Sequence, residues 1–154
     1  MGKSLFILIF FFLSHFSGFS QDCDLQKKVD KFDKSEMIWT STNEFVDLTK
    51  VITDETVDFY LTLKVQTSHI AKNKTGVYVL FEDGSKWEFP LRDIKFDVNR
   101  PLEYYSYDRL TLRQVKTLMS KRISDFKLYI YDSEVPVDIG NLFMKEVKCI
   151  YNAK

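Results

Sequence analysis

The sequence predicts an α+β fold, a meandering antiparallel sheet of about six to seven strands with two short amphipathic helices toward the C-terminus. Three observations carry this. Apolar and polar residues alternate from Val57 to Thr67, an Asp-Gly pair at Asp83–Gly84 separates two extended runs, and the clear helical spacings follow Leu110. A repeat of two residues belongs to strands and one of 3.6 to helices. Strands grouped ahead of helices belong to the α+β class.

The chain opens on Lys3 and a nine-residue apolar run, Leu5–Leu13. That is the length of a signal-peptide core and well short of the roughly 20 residues of a spanning helix. Gly18 and Ser20 are the small residues ahead of a cut before Gln21. The reading is a signal peptide over residues 1–20, a single domain over 21–154, and no transmembrane segment after cleavage. Asp22 precedes Cys23, where a lipoprotein cut needs a small residue. The expected location is periplasmic or extracellular.

Within the domain, Glu36–Thr40 is a short strand candidate. In Val57–Thr67, residues Val57, Phe59, Leu61, Leu63 and Val65 share one face, and Asp58, Tyr60, Thr62, Lys64 and Gln66 the other. That is a strand with one wet face. Val77–Phe81 and Lys86–Leu91 flank the hairpin turn Glu82–Ser85. Trp87, Phe89 and Leu91 are expected on one face, and Pro90, lacking an N–H, ends this arm or puts it at an edge. Ile94, Phe96 and Val98 alternate again, and Leu102–Tyr107 resumes extended structure.

The first helix starts at a capping box, Thr111 with Gln114, and Val115, Leu118, Met119 and Ile123 are expected on one face. Phe126, Leu128 and Ile130 alternate as a strand, and Asp132–Glu134 turns it. Ile139, Phe143, Val147 and Ile150 suit a closing helix with Asp138 as its cap and Cys149 in its last turn.

Cleavage removes Lys3 and no acidic residue, leaving 21 basic against 22 acidic side chains. A near-neutral domain has no electrostatic case for nucleic acid or an anionic membrane. The two cysteines, Cys23 and Cys149, stand near opposite ends of the domain. In an oxidising compartment they are read as a disulfide clasp. The other reading is two independent thiols. Neither has a base or a C-x-x-C partner nearby that would make it a nucleophile.

Catalytic, cofactor and metal residues are read as none. His69 alone remains for a histidine-dependent triad, in a polar loop. No Cys/His cluster suits zinc, and Asp93, Asp97 and Asp108 lack the spacing of a calcium loop. No phosphate-binding glycine loop occurs. Asn73-Lys74-Thr75 is a formal glycosylation sequon. The segment Leu102–Arg109 (LEYYSYDR) is the unusual one. Tyr105 and Tyr107 share one strand face and Tyr104 the other. With Arg109 they are candidate ligand contacts, for tyrosine offers rigid amphipathic area. The plainer account is that tyrosine favours strands.

The leader ending in SQDC, Val29–Phe32 (VDKF), Phe81–Phe89 (FEDGSKWEF), Leu110–Met119 (LTLRQVKTLM) and Phe126–Asp132 (FKLYIYD) together form a pattern. In it the chain resembles small secreted proteins of Bacteroidota, flavobacterial in type. The resemblance implies export across the inner membrane. It assigns no activity and carries no functional residue.

The expected function is an interaction module of the cell envelope, with a protein or glycan partner. An envelope hydrolase built on dispersed carboxylates and a structural accessory subunit are the alternatives.

Overall fold

The computed structural model describes residues 23–40, 44–67, 74–97 and 103–153. The signal-peptide segment, His69, Asn73 and Leu102 lie outside the described residues.

The chain is dominated by one antiparallel sheet, with two helices near the C-terminus. Among the described residues the strands are β1 (Leu25–Val29), β2 (Glu36–Thr40), β3 (Val46–Ile52), β4 (Val57–Gln66), β5 (Lys74–Phe81), β6 (Lys86–Asp97), β7 (Glu103–Leu110), β8 (Ile123–Leu128) and β9 (Tyr131–Glu134). The helices are α1 (Leu112–Leu118) and α2 (Val137–Asn152). The sheet has nine strands rather than six or seven, and it is richer in strand than a balanced α+β domain. The three additions are β1, β3 and β9. None shows a clean apolar face in sequence; pairing makes each a strand.

The order across the sheet is β1-β2-β3-β4-β7-β6-β5-β8-β9. Only β1 to β4 meander. The hairpin-linked strands β5, β6 and β7 lie in reverse, so that β7 meets β4 and β5 meets β8. These are two overlapping Greek keys, each with a long connection returning to the far side of a three-strand unit.

The alternation read in β4 holds from Phe59 onward, while Val57, at the start of the strand, is exposed. Phe59, Leu61, Leu63 and Val65 are buried with Val46 and Leu48 of β3 and with Val77, Val79 and Phe81 of β5. The sheet curls far enough that β8 and β9 touch β4, while α2 packs on β2 and β3. Tyr104 of β7 stacks on Tyr131 of β9, and Phe59 on Tyr151 of α2. The core lies inside this curl.

The capping box forms: Gln114 N–H donates to Thr111 Oγ1 at 3.3 Å and Thr111 N–H to Gln114 Oε1 at 2.9 Å. The helix then stops at Leu118, so Ile123 opens β8 instead of extending the helical face. In α2, Phe143, Val147 and Ile150 are buried. Asp138 is not its cap: Pro136 holds that place with no side-chain bond, and Asp138 sits in the first turn, where a carboxylate still suits the helix dipole.

Cys23 and Cys149 form a disulfide with Cα atoms 6.3 Å apart across 126 residues of chain, a spacing ordinary for such bonds. It ties the chain just ahead of β1 to the last turn of α2. A second tie lies close by. Lys50 points inward from β3, is only 6% exposed, and donates its ammonium to Ala153 O at 2.5 Å. The carbonyls at a helix C-terminus lack intrahelical partners and attract a cation.

Candidate functional site: a cleft at the bend of β6

β6 pairs with β5 along Lys86–Phe89 and again at Asp93–Ile94, leaving Pro90, Leu91 and Arg92 opposite Gly76 alone. This is a β-bulge of the larger kind, three residues against one. Pro90 has no N–H to give the ladder, and Gly76 holds φ at +105°, a conformation that side-chain-bearing residues rarely adopt. The bulge switches the facing of the strand. Trp87 and Phe89 pack on the core before it, Ile94 and Phe96 after it. Leu91 is therefore 88% exposed instead of sharing a face with Trp87 and Phe89.

Past the bulge, β6 changes partner. Lys95, Phe96 and Asp97 pair with Tyr105, Tyr104 and Glu103 of β7, and the ladder stops at Lys95–Tyr105. The first half of β6 stays with β5, while Ser106–Leu110 of β7 pairs only with β4. Where the two strands part, a cleft of about 520 Å³ opens, lined by Phe89, Pro90, Leu91, Arg92, Asp93, Lys95 and Tyr107.

The cleft is tied from beneath. Asp108 points inward from β7 and is only 2% exposed. Arg92 reaches across with Nε 2.5 Å from Asp108 Oδ1. This is an ion pair rather than an aligned hydrogen bond, since neither Asp108 oxygen nor the neighbouring Ser106 Oγ has a hydrogen-bond partner of ordinary geometry among the described residues. Burial raises the Asp108 pKa above the usual carboxylate value. The Ser106 hydroxyl and Arg92 pull it down without cancelling the effect of burial.

Of the four candidate ligand contacts, the structure brings three to the outer face. Tyr105 stands opposite Lys64 of β4 and Lys95 of β6. Tyr107 stacks on Tyr60, with centroids 4.6 Å apart and planes 7° from parallel, and borders the cleft. Burial first, then the neighbouring Tyr60, raises the Tyr107 phenol pKa. Arg109 Nε donates to Asp58 Oδ1 at 3.1 Å, so its charge is already committed. Tyr104 is the exception. It is 2% exposed and stacked on Tyr131, a core residue rather than a surface contact.

Sequence reasoning missed Leu91, Arg92 and Lys95. A signal existed: Phe89 and Ile94 both read as inward residues, yet five positions separate them. An odd spacing cannot keep one face of a regular strand, and a proline sits inside it. Among the described residues no group of three or more His, Cys, Asp or Glu side chains is placed to hold a metal. No helix among them is long and apolar enough to cross a membrane. No family model matches the chain, and no curated protein or solved structure matches it.

Proposed function

We propose that the protein is an exported binding module of the cell envelope and that its ligand, a glycan, lies in the β6–β7 cleft. The observation that carries the reading is Tyr107. Tyr60 braces one side of its ring while the residue borders the cleft beside Pro90 and Leu91. A braced aromatic ring costs little side-chain entropy on binding and offers a flat apolar surface to the C–H face of a sugar. The polar residues Arg92, Asp93 and Lys95 line the same cleft, and a few polar groups in an apolar cleft are the usual make-up of a ligand site. Export is supported by the Cys23–Cys149 disulfide, a bond that persists in oxidising compartments.

Binding is favoured over hydrolysis because Asp108, the carboxylate whose pKa is raised, stands beneath Arg92 and is not among the residues lining the cleft. A glycosidase needs two carboxyl groups flanking the scissile bond.

An array of neutral and acidic oligosaccharides tests the reading. The protein is expected to bind a subset, and Tyr107→Ala to lower that affinity about tenfold, the equivalent of ~1.4 kcal/mol, with little change in melting temperature. An array with no binding, or binding indifferent to Tyr107→Ala, would overturn it. Intact mass of protein recovered from the envelope should correspond to a chain starting at Gln21. Retention of residues 1–20 would count against export by this route.

A further inference from the structure

We propose that the cleft takes an acidic sugar and that Arg92 reads its carboxylate. This rests on the glycan reading above and names the chemical class of the ligand.

Arg92 lines the cleft with its side chain 45% exposed. Its Nε is the nitrogen nearest Asp108, the one ion-pair partner it has among the described residues. A guanidinium carries five N–H donors in one plane, more than a single carboxylate can use, so part of the fork remains for a second acceptor in the cleft. Such a fork matches a second carboxylate with two parallel hydrogen bonds. Asp108 thus has a definite part. It lies almost wholly inside the protein and tethers the long, exposed Arg92 side chain at the cleft before any ligand arrives. Ordering such a side chain at the moment of binding would otherwise cost affinity.

The rest of the wall agrees. Lys95 is a second cation without an acceptor among the described residues, set against one lining carboxylate, Asp93. Tyr107 supplies the ring surface. A uronic acid joins both features in one residue, a C–H face for the tyrosine and a carboxylate for the arginine. An extended acidic peptide is the less suitable occupant. Pro90 cannot donate to an added strand, and Asp108 points a charge inward from the open edge of β7. Both are features that discourage strand addition.

The test is titration calorimetry with oligomers of galacturonate, mannuronate and glucuronate, each beside its methyl ester, which keeps the ring and removes the charge. At least one acid is expected to bind about tenfold or more tighter than its ester. Arg92→Gln should erase that preference and leave weak, equal binding of both forms. Arg92→Met/Asp108→Leu removes both charges together, should keep the fold, and should lose the preference too. Lys95→Gln, which leaves Asp108 untouched, should lower acid affinity a few-fold.

Equal affinity of acid and ester in the unaltered protein overturns the proposal, as does a preference that survives in both Arg92 variants. If neutral glycans bind on the array and no uronate binds, carboxylate recognition falls while the glycan reading stands. A silent array removes both. Arg92-dependent binding of poly-glutamate with no uronate binding would assign the carboxylate to a protein partner and overturn the sugar.

Discussion

Arg92 and Asp108 meet where the β6–β7 ladder would have continued. With Lys95 opposite Tyr105, three further steps along each antiparallel strand bring residue 92 opposite residue 108. The backbones have parted by then, and an ion pair with Nε 2.5 Å from Oδ1 joins the strands in their place. The same contact bridges the gap between the two strands and tethers the one arginine that lines the cleft.

Removing one partner should cost more than removing both. Arg92→Met leaves a buried carboxylate without its cation and should destabilise by about 1–3 kcal/mol, less than a fully buried pair because Arg92 is half exposed. Arg92→Met/Asp108→Leu should regain most of that loss. Urea denaturation of both singles and the double closes the cycle. Additive losses would mean the two side chains do not interact.

Asp108 should leave a mark on the pH dependence of stability. Its folded pKa is raised above 3.8, so between the two values the folded state holds a proton that the unfolded chain has released. Stability from this group is then fullest below pH 3.8 and declines as pH rises through the folded value. Asp108→Asn has no such decline. Its urea midpoint relative to the unaltered protein should rise across that window, read from about pH 3 to pH 7, and level off above it. A constant difference across the range would show an unshifted carboxyl.

The disulfide closes most of the domain into one loop. The chain-entropy account credits a loop of this length with about 4–5 kcal/mol, less any strain. Cys23→Ser and Cys149→Ser should each lower stability by a similar amount, and the double variant by no more than either, since both remove one bond. Two titratable thiols in native protein from an oxidising compartment would refute the clasp.

Facing and capping can be checked separately. Phe59→Ala empties a core position and should cost roughly 3–5 kcal/mol. Tyr60→Ala, on the outer face against Tyr107, should cost visibly less. Thr111→Ala should cost about 1 kcal/mol through the lost cap. Thermal melts rank the three, and Tyr60→Ala costing more than Phe59→Ala would mean β4 is facing the other way.

Recognition of an element followed the distance over which its cause acts. The capping box spans four residues, and β4 alternates over ten consecutive positions, so both are plain in the sequence. β3 is not. Its inward series is Val46, Leu48, Lys50, and a lysine in third place breaks the apolar pattern. It is tolerated because Ala153 O, 103 residues on, accepts its ammonium. β1 (LQKKV) has only Leu25 and Val29 on one face, with Lys27 between them, and is a strand because all five residues pair with β2, with the disulfide holding the chain just ahead of it.

For the candidate site the division is sharper. That Tyr105, Tyr107 and Arg109 share one strand face follows from alternation alone, and the pairing of Cys23 with Cys149 from there being two cysteines in the chain. Whether Tyr104 is surface or core, which way Leu91 faces, and what Arg92 touches were decided by tertiary structure. The reason is physical. Alternation is a local property of one backbone, but a bulge exists only relative to the strand it fails to match, here at Gly76. An ion pair across an opened ladder exists only once β4, β5 and β7 have set where β6 must leave one neighbour for the other.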